Sequence, residues 1–354
     1  MPNPLVSICV PTRNRCNSLR DSLESFCAQD YPALDILVSD NCSQDATEAV
    51  CRELMRADRR IRYIRHDRNI GLHGNHNFCI DSGRGEFLCI FHDHDRHDAT
   101  IISEYVTFLQ QHPSVGVVCS DWNLIDDSNT RIGVRTHRVP TITPGLEYIG
   151  QTIRSGRSSI GIPGAMVRRG ALGTSRFGLD APIGFGDFPV WFCVAEKWDI
   201  GHIPKALWSW RQNRESHSAR AIVAIADDYQ QNLGKYCDEH LARWPEQRAV
   251  VSRWRHDIRR FLFWALMYEV GLHFRTSTQK SRRDDSRSLF EIMDYRLTDE
   301  EFNRTIEQLK RYRSGPLQHA TFASVQLLVH LRLTPALGWL TRHREAVRSL
   351  LRLE

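Results

Sequence analysis

Long apolar runs are absent from this sequence. None of its 354 residues form an uninterrupted apolar stretch near the ~20 residues that a membrane-spanning helix needs. The apolar run at residues 5–10 is short and ends at Pro11, which is not the pattern of a secretory signal peptide. We therefore expect a cytoplasmic protein, soluble or peripherally attached to the inner face of the plasma membrane.

Closely spaced cysteine pairs are also missing. The chain has 10 cysteines, but no two of them have the C-x-x-C spacing of a zinc knuckle or a redox site. Cys9, Cys89 and Cys119 lie inside apolar runs, where cysteine behaves as a small hydrophobic residue. We interpret the cysteines as reduced thiols of a cytosolic protein.

Two further signatures are lacking. No G-x-G-x-x-G follows the first apolar run, where Pro-Thr-Arg-Asn stands at residues 11–14, and this argues against a dinucleotide-dependent enzyme. The net charge is a mild +5, and the aromatic residues show no arrangement that would stack bases. We expect no nucleic-acid partner.

What the first part of the chain does contain is an alternation of short apolar, β-branched runs with segments of helical period. The runs that predict strands are residues 5–10, 35–39, 61–64, 87–91 and 115–119. Strands alternating with helices at this spacing predict an α/β fold: a Rossmann-like, mainly parallel sheet with helices on both faces.

The pattern changes near residue 227. From there on, the segments with helical period are residues 227–241, 250–270, 298–311 and 324–352. We therefore predict two domains, a catalytic α/β domain at residues 1–225 and a helical C-terminal subdomain at residues 226–354.

Polar residues that could bind a ligand follow three of the predicted strands. In parallel sheets, ligands bind beyond the carboxyl ends of the strands, so these residues should share one edge. Asp40 could accept a hydrogen bond from a base N–H, while Thr12 and Arg13 could hold the base and ribose. Asp93 and Asp95 form an Asp-x-Asp motif whose carboxylates suit Mg²⁺ or Mn²⁺.

Four segments in this order resemble the family 2 glycosyltransferases. They are VSICVPTRNR at 6–15, VSDNCSQDAT at 38–47, NIGLHGN at 69–75 and GEFLCIFHDHD at 85–95. The resemblance covers roughly residues 4 to 218. It implies the GT-A fold, a nucleotide-diphosphate-sugar donor, a divalent cation (Mn²⁺ or Mg²⁺) and inversion at the anomeric carbon.

The resemblance also implies roles for matching residues. Those expected to contact the nucleoside are Pro11, Thr12, Arg13, Asp40 and Asn69. Asp93 would approach the ribose and Asp95 would bind the metal. The chain departs from its relatives at His94, where another Asp is common, and at Arg13, which replaces an aromatic residue.

An inverting transfer needs a carboxylate that takes the proton of the acceptor hydroxyl. In the family this base follows a loop and opens a helix, and Asp187 in the segment GFGDFPVWF (184–192) fits that position. Asp180 is the nearest rival. The alternative interpretation of Asp187 is a helix N-cap, because Pro189 and an apolar helical run follow it.

Downstream, residues 203–211 predict a strand, and the polar loop at 213–218 follows it. By resemblance, His217 in that loop completes the metal shell or holds the diphosphate; the alternative is a solvent-exposed histidine. Arg211 could help to shape the donor or acceptor pocket.

The helical tail is rich in arginine. Its basic, amphipathic helices predict either contact with an anionic membrane surface or solvated charges at the edge of a helical bundle.

The sequence thus predicts an inverting, metal-dependent hexosyltransferase of surface polysaccharide or glycoconjugate synthesis. We expect UDP as the donor nucleotide, with dTDP and GDP as alternatives, and a saccharide or lipid-linked saccharide as acceptor. The alternative function is a catalytically inactive nucleotide-sugar-binding or scaffold protein on the same fold.

Overall fold

The computed structural model describes residues 3–156, 158–178, 187–211, 222–273, 299–312 and 318. Its strands are β1 (Val6–Thr12), β2 (Leu34–Asp40), β3 (Ile61–Arg65), β4 (Phe87–Ile90), β5 (Arg96–His97), β6 (Val115–Ile125), β7 (Arg131–Arg135), β8 (Ile142–Thr143), β9 (Ala165–Arg168) and β10 (Asp199–Arg211). Each of the five strands predicted from the first part of the chain is present, as β1 to β4 and β6.

These strands form one sheet in the order β3-β2-β1-β4-β9-β6-β10-β5, with β7 beside β6 and β8 beside β10. The pairs β1–β2, β1–β4, β2–β3 and β6–β10 are parallel, whereas β9 runs antiparallel to both of its neighbours. Six strands therefore point in the same direction, and the four that oppose them are short. The predicted fold class, a mainly parallel α/β sheet, is confirmed.

The helices of the described residues are α1 (Cys16–Cys27), α2 (Thr47–Ala57), α3 (Leu72–Ser82), α4 (Ile101–Gln111), α5 (Gly145–Ser155), α6 (Arg169–Leu172), α7 (Phe188–Ala195), α8 (Ile222–Arg243), α9 (Arg248–His273) and α10 (Asp299–Tyr312). None of them combines the length and the apolar composition needed to cross a bilayer.

Strand β4 shows how the helices cover both faces of the sheet. Side chains alternate between the two faces of a strand. Phe87 and Cys89 belong to the main core cluster, together with apolar residues of α1 and α4. Leu88 and Ile90 point the other way and line a small apolar cavity with residues of α3 and α7, among them Trp191. The strand that leads to the Asp-x-Asp motif is therefore buried on both sides.

The chain divides into two units, one made of Met1–Thr152 with Arg157–Ser216 and the other of Ile153–Gly156 with His217–Glu354. Within the second unit, α9 buries Val251, Trp254, Ile258 and Leu262 along one side. Arginines 253, 255, 259 and 260 of the same helix are exposed. The exposed arginines of α9 agree with the predicted alternative in which the charges are solvated at the edge of a helical bundle. The predicted helix at 324–352 lies outside the described residues.

Candidate active site

The loops that follow β1, β2 and β4 meet at one edge of the sheet. Strand β1 lies between β2 and β4, parallel to both, and Thr12 pairs with Asp40 in register. The backbone N–H of Asn41 donates to the carbonyl oxygen of Thr12 at 2.9 Å. The strand-end residues singled out in the sequence are thus neighbours in space.

Asp93 is fixed by the loop of a neighbouring strand. Its Oδ2 accepts a hydrogen bond of 2.7 Å from the hydroxyl of Thr12, and its Oδ1 lies 2.9 Å from Nδ1 of His94. Asp93 and Thr12 are both buried. Since both carboxylate oxygens of Asp93 already have partners, its chief role in this arrangement is to orient Thr12 and His94. Its predicted approach to the ribose stays a prediction.

Asp95 is fully buried, and among the described residues only one of its two carboxylate oxygens accepts a hydrogen bond. Its Oδ1 accepts a hydrogen bond of 2.9 Å from the backbone N–H of Arg211, but its Oδ2 makes no hydrogen bond among the described residues. His92 Nδ1 lies 3.5 Å from that oxygen. Burial by itself would raise the pKa of Asp95, but contacts with His92, His94 and the N–H of Arg211 outweigh it and lower the pKa. The carboxyl is therefore charged at neutral pH.

A buried carboxylate oxygen without a partner is costly unless a ligand satisfies it. One ligand atom from each of His92, His94 and Asp95 lies within 4.8 Å of the others. Imidazole nitrogens and carboxylate oxygens together suit first-row divalent metals. The residues present therefore fit a divalent cation, which would supply positive charge to stabilise a departing diphosphate.

Arg211 holds in place the loop at residues 92–95, here called the acidic loop. The side chain is 6% exposed, and its guanidinium donates to the carbonyl oxygens of His94 at 2.8 Å and Asp126 at 3.0 Å. It also donates to Asp21 Oδ2 and Asn129 Oδ1, both at 2.6 Å. One side chain thus ties the loop after β4 to α1 and to the β6–β7 turn. The sequence suggested only that Arg211 shapes a pocket.

Replacing Arg211 by methionine is expected to lower the free energy of unfolding by about 3–5 kcal/mol, because the buried partners of the guanidinium lose their donors. Chemical denaturation without added metal measures this loss. The control is Arg20→Met, which removes an exposed pair with Glu53 and should leave stability nearly unchanged. Equal effects of the two substitutions would contradict the locking role.

Asp40 and Asn69, expected to contact the base, take part in hydrogen bonds within the protein. Asp40 is fully buried; its Oδ1 accepts from the N–H of Ser43 at 2.8 Å and its Oδ2 from the hydroxyl of Tyr63 at 2.5 Å. Asn69 Oδ1 accepts from Asn41 Nδ2 at 2.8 Å. Both residues shape the loops of this edge, and their contact with a base stays a prediction.

Asn41 holds the loop before α3. Besides the bond to Asn69, its Oδ1 accepts from the N–H of Ile70 at 2.8 Å and its Nδ2 donates to the carbonyl oxygen of Gly71. Gly71 has a φ of +80°, a conformation that favours glycine. No separate role was predicted for Asn41, although its place directly after a strand was a signal.

The loop after β1 is fastened to the loop after β2. Asn14 adopts a φ of +53°, and its Oδ1 accepts from the N–H of Gln44 at 2.8 Å. Pro11 and Thr12 are buried, whereas Arg13 is exposed at this edge. Arg13 and Asn69 are therefore the two exposed members of the predicted nucleoside set.

Asp187 stands directly before α7. It occupies the N-cap position of α7, with φ −87° and ψ −28°, but its side chain makes no capping hydrogen bond. Burial raises the pKa of Asp187 to about 6. A carboxylate that titrates near neutrality suits a general base. Its role as the base stays a prediction, and Asp180 and His217 lie outside the described residues.

Helix α7 and strand β4 line a common apolar cavity. Trp191 of α7 and Ile90, the last residue of β4, line the same apolar cavity. The helix that follows Asp187 and the strand that precedes Asp93 therefore share one apolar cavity.

Comparisons with known proteins agree with this architecture. Residues 7–174 match the model of glycosyl transferase family 2. This part of the chain therefore belongs to that family, as the motifs predicted. A related sequence is the GalNAc(5)-diNAcBac-PP-undecaprenol beta-1,3-glucosyltransferase of Campylobacter jejuni, 34% identical over 32% of this chain and 36% of the relative. The chain spans between 26% and 36% of the length of the first three curated relatives that it matches.

Two solved structures have the same fold. S. aureus TarS (residues 1–349) in complex with UDP-GlcNAc superposes with a TM-score of 0.59 at 17% identity, covering 87% of this chain and 80% of that chain. The mannosyltransferase PcManGT of Pyrobaculum calidifontis, in complex with GDP-Man and Mn²⁺, superposes with a TM-score of 0.54 at 15% identity. The match covers 100% of this chain and 89% of that chain. The fold is therefore GT-A.

Proposed function

We propose that this protein is an inverting glycosyltransferase that moves a sugar from a nucleotide diphosphate onto an acceptor hydroxyl. The observation that carries the proposal is the unsatisfied, fully buried oxygen of Asp95, which lies beside His92 and His94 at the edge where three parallel strands end. A charged carboxylate in this position needs a cation, and a cation there would be matched by the diphosphate of a donor.

In the proposed reaction, Asp187 accepts the proton of the acceptor hydroxyl as its oxygen bonds to the anomeric carbon. The bond between that carbon and the diphosphate oxygen breaks, and the electron pair leaves with the nucleoside diphosphate. Attack opposite the leaving group inverts the anomeric centre. The raised pKa of Asp187, about 6, leaves the carboxylate ionised but still basic at neutral pH.

UDP is the proposed donor nucleotide. It is supported by the structural similarity to TarS, which was solved with UDP-GlcNAc, while the similarity to a mannosyltransferase solved with GDP-Man keeps GDP as an alternative. dTDP is the other alternative. His217 remains part of the proposal as a further ligand of the metal or the diphosphate.

The proposed acceptor is a saccharide or lipid-linked saccharide of surface polysaccharide or glycoconjugate synthesis. The related Campylobacter enzyme is named for an undecaprenol-linked substrate. The exposed arginines of α9 offer positive charge that would suit peripheral contact with an anionic membrane surface. The second candidate function is an inactive nucleotide-sugar-binding protein, favoured by the unusual His92-Asp93-His94-Asp95 loop.

Metal-dependent stabilisation by one nucleotide tests the proposal. Thermal melting is measured with UDP, GDP and dTDP, each with and without Mn²⁺. A ligand at 100 times its Kd adds about 2.7 kcal/mol to the stability of the folded state, which raises Tm by several degrees. We expect this rise for UDP with Mn²⁺ and little change for UDP alone.

Absence of stabilisation by all three nucleotides with Mn²⁺ would contradict nucleotide-diphosphate-sugar binding. If stabilisation is found, hydrolysis of the corresponding nucleotide sugar decides between the two functions. Slow release of UDP supports an enzyme, and binding without any turnover supports the inactive alternative.

A further inference from the structure

The acidic loop differs from an all-oxygen magnesium site in its donor atoms. Of the three side chains that come together there, two are imidazoles and one is a carboxylate. The rings of His92 and His94 stack with their centroids 5.3 Å apart, and both side chains are partly buried, at 29% and 22% exposed. They are therefore held in place, side by side, next to the unsatisfied oxygen of Asp95.

The neighbours of this group support a role for the rings as ligands. Metal-binding histidines are commonly oriented by a carboxylate on their other ring nitrogen, and loss of that partner typically weakens metal binding by about 10–100-fold. Asp93 lies 2.9 Å from Nδ1 of His94 and is itself held by Thr12. The carboxylate of Asp93 thus fixes the ring of His94 rather than facing outward.

The chemistry of the donor atoms sets a metal preference. Mg²⁺ takes oxygen ligands in octahedral geometry and retains water molecules. Imidazole suits the first-row transition metals and Zn²⁺, and the affinity of mixed nitrogen and oxygen sites generally rises from Mn²⁺ to Co²⁺. A site with two imidazoles and one carboxylate should therefore bind Mg²⁺ poorly.

We propose that His92 and His94 are direct metal ligands together with Asp95, and that these two nitrogen donors select Mn²⁺, Co²⁺ or Zn²⁺ over Mg²⁺. This inference deepens the proposed function, since it concerns the cation site of the same enzyme, but its test needs neither donor nor turnover.

Nitrogen ligation is tested first on the unaltered protein. Mn²⁺ is added to the full chain, and pulsed electron paramagnetic resonance records coupling between the metal and nearby ¹⁴N nuclei. The expected result is coupling from two imidazole nitrogens. A bound Mn²⁺ with no nitrogen coupling would overturn the proposal, and this reading does not depend on the folding of any variant.

Selectivity is then tested by titration calorimetry with Mn²⁺ and Mg²⁺ alone. We expect Mn²⁺ to bind at least tenfold more tightly than Mg²⁺. His92→Asn and His94→Asn should each weaken Mn²⁺ binding by about tenfold or more, with a much smaller change for Mg²⁺. His112→Asn is the matched control, because His112 is a partly buried histidine at the end of α4 that contacts Phe108 and lies outside the cluster.

Two results would contradict the inference: equal affinities for the two metals in the unaltered protein, or unchanged Mn²⁺ affinity in both variants. A failure of the proposed function looks different. In that case Mn²⁺ binds with nitrogen coupling, but no nucleotide raises the melting temperature in its presence.

Discussion

Asp95→Asn is expected to reduce sugar transfer by about three orders of magnitude while leaving the fold intact. A metal ion supplies several kcal/mol of transition-state stabilisation, and each 1.36 kcal/mol corresponds to a factor of ten in rate. Asparagine has the shape of aspartate and retains an oxygen for the N–H of Arg211, which donates to Asp95 Oδ1 at 2.9 Å. It removes the negative charge at Oδ2, an oxygen that makes no hydrogen bond among the described residues.

The measurement is the rate of UDP release from the donor at saturating Mn²⁺, together with a melting curve for each protein. The control is Asp98→Asn, which removes an exposed carboxylate of the same segment whose partner is Thr100. The control should retain activity within about twofold, since surface substitutions away from a site have small effects. Full activity of Asp95→Asn with a normal melting curve would contradict the role of Asp95.

Asp187→Asn is expected to lower turnover by about 10²–10⁴-fold, the range typical for loss of a general base. For the unaltered enzyme, kcat/KM should fall as the pH drops through about 6, because protonation removes the basic form of Asp187. The residual activity of the variant should lack this acid limb. The pH–rate profiles of both proteins provide the measurement.

Asp187→Asn should also change stability, and in the favourable direction, whereas it lowers activity. A carboxyl whose pKa is raised in the folded state destabilises the fold once it ionises, so its favourable contribution is lost as the pH rises through about 6. Asp187→Asn should therefore raise Tm relative to the unaltered protein at pH 8 but not at pH 4. Asp199→Asn, at the start of β10, is the control and should change neither profile. An unchanged acid limb in Asp187→Asn would exclude Asp187 as the base.

The part of the fold that could be predicted is the part with local signals. Strands β1, β2 and β4 are short and mostly apolar, and each is followed by a turn of polar residues. The rule that ligands bind at the carboxyl ends of parallel strands then placed Thr12, Asp40 and Asp93 together, and the pairing of β1 with β2 and β4 confirms that placement.

Other features depend on contacts between distant segments. Strand β6 runs to Ile125, well past the predicted end at residue 119, because its polar second half pairs with β7. Strand β5 is two residues long and exists only through its pairing with β10. Neither has a local sequence signal strong enough to predict it.

The same limit applies to the site. The bond from the N–H of Arg211 to Asp95 joins residues 116 positions apart, so no local pattern reveals it. The burial of Asp40 and its bond with Tyr63 likewise follow from the packing of β2 against β3. The sequence identified which side chains lie at the edge, and the structure adds which of their atoms already have partners.

In the proposed site, Asp95 Oδ2 holds a cation that in turn holds a nucleoside diphosphate. Crystals grown with Mn²⁺ and UDP test it directly through the anomalous signal of manganese. We expect one strong peak within bonding distance of Asp95 Oδ2, in contact with the diphosphate oxygens. A diphosphate bound elsewhere, or a manganese peak that does not touch Asp95, would contradict it.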